Sequence, residues 1–213
     1  MNPHMTYSKI WSMRISGGIA KGRRIVSKKL LSEGSGTELL RPTSSKVREA
    51  LFDILRERII GGSFVDLYAG TGTVGLEALS RGADRAIFVE PDEFRVTAIK
   101  RHAEEFGFQK EKVLVFRCRA LEFLKRASSE RKSFDIFFVD PPYYSEEIDR
   151  ILPFLGEKGI LNEGGTVVAE HFFKKKVPEA AGDLRIYRNY RYGDTVLTLY
   201  RKSVNKSDGK VGQ

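Results

Sequence analysis

Cysteine, histidine and tryptophan are scarce in this chain of 213 residues, which contains one cysteine, three histidines and one tryptophan. A single cysteine excludes an intrachain disulfide framework and is typical of a protein in a reducing compartment. The histidines are scattered without the spacing of metal ligands, so we predict no metal site. No apolar stretch approaches the roughly 18–20 residues that a membrane span needs, and the N-terminus has no signal-peptide pattern. We therefore expect a cytoplasmic protein, and a monomer because no feature of the sequence requires assembly.

Acidic side chains are absent from residues 1–29, which contain seven basic ones. Residues 1–60 carry 12 basic and 5 acidic side chains, and so account for seven of the nine excess positive charges of the chain. Neutralising phosphates releases condensed counterions, so this asymmetry favours a nucleic acid as the partner. The alternative interpretation is a solvated basic surface that aids solubility. The candidate contact residues are Arg14, Lys21, Arg23 and Arg24.

Short apolar strands alternate with helices through the middle of the chain. This alternation predicts parallel βαβ units in a doubly wound sheet. Gly193-Asp194 is a two-residue hairpin signal, so the last two strands should be antiparallel. Pro153 should kink or end a turn of the helix that follows the fourth strand. The seven predicted strands cover residues 64–68, 86–90, 113–116, 134–139, 166–169, 185–191 and 195–201.

A basic extension precedes this α/β unit. Its glycines and short β-prone pieces predict a twisted ribbon or hairpin within residues 13–31, and 32–40 is expected to be a flexible loop. Thr43 or Ser44 should then cap an amphipathic helix that Gly61-Gly62 ends. The predicted organisation is an extension over residues 1–60, a catalytic domain over 61–203 and a disordered tail over 204–213.

A glycine-rich turn joins the first strand of the sheet to its helix. Gly70, Gly72 and Gly75 form a Gly-x-Gly-x-x-Gly pattern, which lets the backbone approach a ligand and leaves N–H groups at a helix N-terminus. Glu90 follows 20 residues after Gly70, the spacing of an acid that holds ribose hydroxyls. This pattern fits a nicotinamide enzyme, an S-adenosylmethionine enzyme or a tight structural turn. Asp66, four residues before Gly70, favours the S-adenosylmethionine enzyme, although Asp66 could also cap the turn amides.

Asp140-Pro141-Pro142-Tyr143 follows the fourth strand directly. Ligands of open α/β sheets bind beyond the carboxyl ends of the strands, so this turn is a candidate catalytic site. Two prolines contribute no N–H, and the turn therefore presents a carboxylate and carbonyl oxygens, which are acceptors for an exocyclic amine. Tyr143 offers a flat face on which an extruded base can stack. The competing interpretation is a strand-ending Pro-Pro turn capped by Asp140.

Asp-Pro-Pro-Tyr resembles the motif of methyltransferases that act on amino groups of adenine or guanine. Together with the Lys21-Gly22-Arg23-Arg24 cluster, Arg41-Pro42-Thr43 and Tyr192-Gly193-Asp194-Thr195, it makes the chain resemble the RsmD family over residues 14–201. The resemblance implies a Rossmann-like class I methyltransferase fold. It also implies methyl transfer from S-adenosylmethionine to the N2 amine of a guanine in small-subunit (16S) ribosomal RNA. The alternatives are an adenine-N6 methyltransferase, a nicotinamide oxidoreductase and a non-catalytic RNA-binding protein.

The resemblance also implies residue roles. Asp140 and the Pro141 carbonyl would bind the target amine while Tyr143 stacks, and Glu90 would hold the donor's ribose. Family members commonly carry Asp or Asn before the alanine that aligns with Ala120, and this chain has Arg119 there; the Ala120 N–H remains able to read the adenine edge. The expected donor-site residues are Arg41, Thr43, Asp66, Tyr68, Ala69, Gly70, Thr71, Gly72, Glu90, Pro91, Arg119 and Ala120.

Overall fold

The computed structural model describes residues 11–27, 43–142 and 145–202. Predictions for Arg41, Tyr143, the loop at 32–40 and the tail at 204–213 lie outside these residues. The strands are β1 Trp11–Arg14, β2 Arg24–Ser27, β3 Ser63–Asp66, β4 Arg85–Val89, β5 Val113–Phe116, β6 Phe134–Val139, β7 Leu161–Phe172, β8 Ala180–Ala181, β9 Leu184–Tyr192 and β10 Thr195–Lys202. The α-helices are α1 Ser45–Leu55, α2 Thr73–Ser80, α3 Glu93–Glu105, α4 Ala120–Ser129 and α5 Glu147–Glu157, and short 3-10 helices cover Arg56–Ile59 and Lys110–Lys112.

Eight of these strands form one sheet in the order β5-β4-β3-β6-β7-β10-β9-β8. The five strands from β3 to β7 are parallel to one another, and β8, β9 and β10 pair antiparallel. The prediction of a mostly parallel seven-stranded sheet with an antiparallel C-terminal hairpin is confirmed. The two-residue strand β8 is an addition at the edge of the sheet. Gly193, with φ 62°, occupies the first position of the hairpin turn, where a positive φ favours glycine.

The chain reverses direction across the sheet at β3. It proceeds outward through β4 and β5, and then returns to place β6 and β7 on the other side of β3. The carboxyl ends of β3, β4, β6 and β7 therefore lie along one edge, which brings Asp66, Glu90, Asp140 and Glu170 to the point where ligands bind in open α/β sheets.

Helices cover both faces of the sheet. One face packs against α1, α2 and α3 and includes Phe64, Ile136 and Val168. The other face packs against α4 and α5. Helix α5 continues past Pro153 to Glu157. Of the two predicted effects of Pro153, a kink or the end of a helical turn, the helix therefore does not show an end at the proline. Proline removes a single backbone donor, and Leu152 and Leu155 on either side of it remain buried against the sheet. Among the residues described, no helix has both the length and the apolarity to cross a membrane.

The N-terminal ribbon, β1 and β2 with the turn between them, is anchored on the C-terminal end of α2. The N–H of Ile19 donates to the Ser80 carbonyl at 2.8 Å, and the N–H of Ala20 donates to Ser80 Oγ at 2.9 Å. Ser80 Oγ donates in turn to the Gly17 carbonyl at 2.6 Å. A Cβ at Gly18, which has φ +77°, would lie 1.8 Å from the Ser80 carbonyl oxygen. Only glycine permits this approach of the ribbon to α2.

A buried ion pair extends the same contact. Arg48 Nε on α1 lies 2.6 Å from Glu77 Oε2 on α2, and both side chains are almost fully buried. Arg48 Nη2 also donates to the Arg14 carbonyl of β1 at 2.6 Å, and Ser16 Oγ donates to Glu77. Arg81 Nη2 lies 2.9 Å from the second oxygen of Glu77. The ribbon, α1 and α2 therefore meet at one carboxylate.

Candidate active site

The glycine-rich turn between β3 and α2 needs its glycines for conformation and space. Gly70 has φ +53° and Gly72 has φ +75°, and the N–H of Gly72 donates to the Ala69 carbonyl at 2.7 Å. A Cβ at Gly72 would lie 2.7 Å from Ile99 Cγ1 on α3. The turn therefore packs closely under α3 and directs the first N–H groups of α2 toward the carboxyl edge of the sheet.

Asp66 ends β3 beneath this turn and is almost fully buried. Its Oδ2 accepts the N–H of Gly75 at 3.3 Å, which is the contact that the capping interpretation requires. Loss of hydration, together with the negative charges of Asp140 and Glu90, raises the pKa of Asp66 to about 7 against the opposing backbone hydrogen bonds. Among the described residues, the charged groups that act on Asp66 are therefore acidic.

Glu90 joins the end of β4 to the glycine-rich turn. Its Oε2 accepts the N–H of Gly70 at 2.9 Å, and its Oε1 accepts the N–H of Asp92 at 2.9 Å. Arg95 Nη1 lies 3.5 Å from Oε1. Burial raises the pKa of Glu90, while these hydrogen bonds and Arg95 lower it. Each carboxylate oxygen has a second lone pair, so Glu90 can hold the turn and also accept a ligand hydroxyl.

Asp140 follows β6, the strand next to β3. Thr43 Oγ1, which precedes the N-cap Ser44 of α1, donates to Asp140 Oδ2 at 3.1 Å. Burial raises the pKa of Asp140 to about 7, and the Thr43 hydrogen bond opposes the rise. The Pro142 carbonyl accepts both the N–H and the Oγ–H of Ser145, at 2.9 and 2.8 Å. The Asp140 carboxylate and the Pro141 carbonyl remain the predicted acceptors for a ligand amine.

The remaining predicted donor-site residues lie around the same edge in different roles. The Tyr68 hydroxyl donates to Glu147 Oε2 on α5 at 2.9 Å, so this hydroxyl has a protein partner. Arg119 is the exposed N-cap of α4 and forms no side-chain cap bond. Thr43 faces two carboxylates, those of Asp140 and Glu170. Ala69 and Ala120 are buried, Thr71 is partly buried and shares a hydrogen bond with Thr73, and Pro91 is exposed.

Comparisons with known proteins give the family and the fold of this chain. The family described as "Conserved hypothetical protein 95" matches residues 13–201. A relative from Bacillus subtilis, named "Putative rRNA methyltransferase YlbH", is 35% identical over 190 residues, which cover 89% of this chain and 99% of the relative. "Ribosomal RNA small subunit methyltransferase D" of Escherichia coli is 28% identical over 197 residues, 92% of this chain and 93% of that protein. The solved structure of "Putative methyltransferase yhhF from Escherichia coli" superposes with a TM-score of 0.73 at 27% identity, covering 91% and 99% of the two chains.

The chain belongs to the RsmD-like family of methyltransferases. The family resemblance and the Rossmann-like fold predicted from the sequence are both confirmed. The roles assigned above to individual residues stay predictions. Within the described residues of this RsmD-like chain, no group of three or more His, Cys, Asp or Glu side chains is arranged to hold a metal ion.

The four predicted nucleic-acid contacts of the RsmD-like chain lie on or beside the ribbon. Arg14, Lys21 and Arg24 are exposed. Arg23 is also exposed, but its Nη1 donates to the Glu105 carbonyl at 3.2 Å and its guanidinium lies 6.0 Å from the centre of the Phe106 ring. Arg23 thus helps to hold the ribbon against α3, while the other three present charge to solvent.

Glu170 is the site residue that the sequence analysis missed. It is buried near the end of β7, and its Oε2 lies 3.2 Å from Thr43 Oγ1. A signal was available, because an acid follows the apolar run Val167-Val168-Ala169 just as Asp140 follows the apolar strand before it. Two such acids at the ends of consecutive parallel strands are expected to be neighbours.

Proposed function

We propose that this RsmD-like protein transfers a methyl group from S-adenosylmethionine to the N2 amine of a guanine in small-subunit (16S) ribosomal RNA. The single observation that carries the proposal is the position of Asp140. Its carboxylate and the Pro141 carbonyl lie at the end of β6, beside the strand that leads into the glycine-rich turn. The names of the relatives support rRNA as the substrate.

The acidic residues at the carboxyl edge fit a positively charged methyl donor. The pKa values of Asp66 and Asp140 are both raised to about 7, so the site without ligand disfavours their charged forms. A cation beside them would stabilise the carboxylates. Asp66 and the N–H groups of the glycine-rich turn would hold the methionine part of S-adenosylmethionine, and Glu90 would hold its ribose. When bound, S-adenosylmethionine supplies a methyl group that is attached to a sulfonium sulfur. After the transfer, this sulfur is part of a neutral thioether.

Asp140 performs the base-recognition part of the reaction. An exocyclic amine is conjugated to its ring and is a weak nucleophile, and it offers two N–H donors. When the Asp140 carboxylate and the Pro141 carbonyl accept these donors, the nitrogen moves toward tetrahedral geometry and its lone pair becomes available. The nitrogen forms one bond to carbon and loses one proton, which Asp140 or water accepts. Catalysis is then mainly positioning and hydrogen bonding.

The basic ribbon provides the surface for the ribosomal RNA. Arg14, Lys21 and Arg24 are exposed there without an acidic residue in β1, β2 or the turn between them. Each phosphate that they neutralise releases counterions and adds affinity. The protein would act as a monomer in the cytoplasm, on a small ribosomal subunit or an assembly intermediate.

The test is a methylation assay with labelled donor on hypomethylated small subunits, free ribosomal RNA and DNA in parallel. We expect label in guanosine after digestion to nucleosides, whereas label in adenosine would replace the guanine proposal with the adenine-N6 alternative. Asp140→Ala should leave S-adenosylhomocysteine binding near normal and lower methyl transfer by roughly a hundredfold or more. Asp84→Ala, at an exposed acid before β4, is the matched control. Near-normal turnover of Asp140→Ala would remove Asp140 from the mechanism.

The identity of the donor is tested separately by calorimetry. Binding of S-adenosylhomocysteine and of NADH is measured with the same protein sample. We expect only S-adenosylhomocysteine to bind tightly. Tight binding of NADH alone would overturn the proposal in favour of a nicotinamide enzyme, which the glycine pattern by itself also fits.

A further inference from the structure

The hairpin tip Tyr192-Gly193-Asp194-Thr195 carries part of the family resemblance but has no part in the chemistry of methyl transfer. It is joined to the loop that follows β7, since the N–H of Phe173 donates to the Asp194 carbonyl at 2.9 Å. The ladder between the two strands ends at the same level, where Phe172 of β7 pairs with Thr195 of β10. The hairpin tip and the loop therefore form one surface at the carboxyl edge of the sheet.

This surface borders the candidate active site. Ala169 of β7 pairs with Val139 of β6, so Phe173 lies three residues beyond the level of Asp140. Since a strand rises about 3.3 Å per residue, Phe173 is about 10 Å further along the strand direction. That distance is close to the spacing of neighbouring groups along a nucleic-acid strand, so a nucleotide next to the one over Asp140 would reach this surface.

The loop after β7 also contacts the segment that follows the Asp-Pro-Pro-Tyr turn. Lys175 Nζ lies 3.3 Å from the Ser145 carbonyl oxygen and 2.6 Å from Asp149 Oδ2 on α5. The loop is thus fixed on the side of the carboxyl edge where α5 lies, beside the turn that holds the proposed acceptors of the base amine.

Arg191 is exposed on this surface and is held there by two contacts. Its guanidinium carbon lies 4.1 Å from the centre of the Phe173 ring, and its Nε donates to the Gly193 carbonyl at 2.8 Å. The Phe173 ring packs in turn against the Phe172 ring, with centres 4.8 Å apart. Stacking uses the face of a guanidinium and leaves its in-plane fork of N–H groups for a phosphate or a carboxylate. A fork that is fixed before binding loses little side-chain entropy when it pairs.

The exposed charges of the surface are mostly positive. Lys174 and Lys176 are exposed, and Lys174 Nζ lies 5.6 Å from the centre of the Phe173 ring. Asp194 is an exposed acid of the hairpin tip and offsets part of this charge, while Lys175 is paired with Asp149. Basic side chains around an aromatic ring are the combination with which proteins bind single-stranded nucleic acid.

The N-terminal ribbon lies on the other side of the carboxyl edge. Its buried residues Ile15 and Ile25 pack in the cluster that includes α1, α2 and α3. The loop after β7 is bound to α5, which covers the opposite face of the sheet. An RNA strand that contacts both surfaces must therefore cross the edge at which Asp140 lies.

We propose that Arg191, stacked on Phe173, binds a phosphate of the ribosomal RNA next to the nucleotide that enters the active site, with Lys174 contributing charge. The proposal rests on the proposed function, because it takes ribosomal RNA as the substrate. It adds a second RNA contact to that of the ribbon. It also assigns a role to the hairpin tip, whose Gly193 and Asp194 carbonyls hold Arg191 and Phe173 in place. Holding the strand on both sides of the edge positions the extruded base over Asp140.

RNA binding tests this contact without methylation. The probe is hypomethylated small-subunit ribosomal RNA, free or in the subunit, whichever form the parent methylates faster. Arg191→Gln should weaken binding by about threefold to tenfold and reduce the slope of log affinity against log salt by about 0.7 to 1. Arg185→Gln is the matched control, because Arg185 is an exposed arginine of the same strand, six residues away toward the opposite edge of the sheet. We expect Arg185→Gln to bind as the parent does.

Two further variants separate the stacked fork from positive charge alone. Arg191→Lys keeps the charge and should keep the salt slope, but it loses the fork, so the KM for RNA should rise by about threefold. Phe173→Leu keeps an apolar side chain and removes the ring under the guanidinium, with a similar rise in KM. In both variants kcat at saturating RNA should stay within about threefold of the parent. The affinity for S-adenosylhomocysteine should be unchanged, which shows that the fold and the donor site are intact.

The outcomes separate this inference from the proposed function. If Arg191→Gln binds RNA as tightly as Arg185→Gln does, the inference fails, even when the parent methylates guanine. If Arg191→Gln loses affinity for S-adenosylhomocysteine as strongly as for RNA, Arg191 supports the fold and the inference also fails. If RNA binding alone is weakened but the label appears in adenosine, the RNA contact stands and the guanine proposal fails. A parent protein that binds no RNA would overturn both.

Discussion

Replacing Asp66 with Asn should make the ligand-free protein more stable at neutral and alkaline pH. Asp66 has a pKa of about 7 in the folded protein and an ordinary value of 3.8. The folded state therefore binds the proton more tightly than the unfolded chain. The contribution of Asp66 to the free energy of unfolding is therefore greatest below about pH 4, and it decreases as the pH rises to 7. Asn removes the charge but keeps an oxygen that can accept the N–H of Gly75.

The size of the effect follows from the pKa difference. One pKa unit corresponds to about 1.4 kcal/mol, so the shift of Asp66 amounts to about 4 kcal/mol at pH 8. Repulsion from Asp140 is part of this shift and disappears when Asp66 is neutralised, but the buried Asn amide has a desolvation cost of its own that offsets part of the gain. We expect Asp66→Asn to gain roughly 2 to 4 kcal/mol at pH 8. The gain in the free energy of unfolding of Asp66→Asn over the parent should be larger at pH 8 than at pH 5, by about 3 kcal/mol or less.

Urea unfolding of the parent and the variant at pH 5 and pH 8 measures this difference directly. Asp84→Asn, at an exposed acid, is the matched control and should change the free energy of unfolding by about 0.5 kcal/mol or less at either pH. An advantage of Asp66→Asn that stays constant or shrinks between pH 5 and pH 8 would refute the reasoning. The stabilised variant should also bind S-adenosylhomocysteine more weakly, since destabilised groups concentrate in binding sites.

Two further predictions concern the ribbon and its anchor. Glu77→Gln leaves the buried Arg48 guanidinium without its carboxylate and should destabilise the protein by roughly 3 to 5 kcal/mol in urea unfolding. Glu130→Gln removes an exposed ion pair and should cost far less. Equal costs for the two variants would contradict the burial argument. Lys21→Gln and Arg24→Gln should each weaken RNA binding and reduce the slope of log affinity against log salt by about 0.7 to 1. An unchanged slope would mean that neither side chain contacts a phosphate.

The local features of the active site are readable in the sequence. Glycine at positions 70 and 72 is required where the backbone has positive φ, and the pattern shows it because no other residue adopts that conformation readily. Asp140 directly follows an apolar run, so its position at the end of a buried strand is predictable. The hairpin at Gly193-Asp194 is equally local. In each case a few consecutive residues carry both the signal and the structure.

Contacts between distant segments follow from the tertiary structure alone. Thr43 meets Asp140 across 97 positions and Glu170 across 127, and Glu77 meets Arg48 across 29. Hydrophobic periodicity indicates which face of each element is buried, but it does not say which strands become neighbours. That choice depends on the crossover from β5 back to β6, which is made when the whole sheet packs. The sequence thus determined the chemistry available at the carboxyl edge, and the packing of the sheet decided which of those groups lie within hydrogen-bond distance of one another.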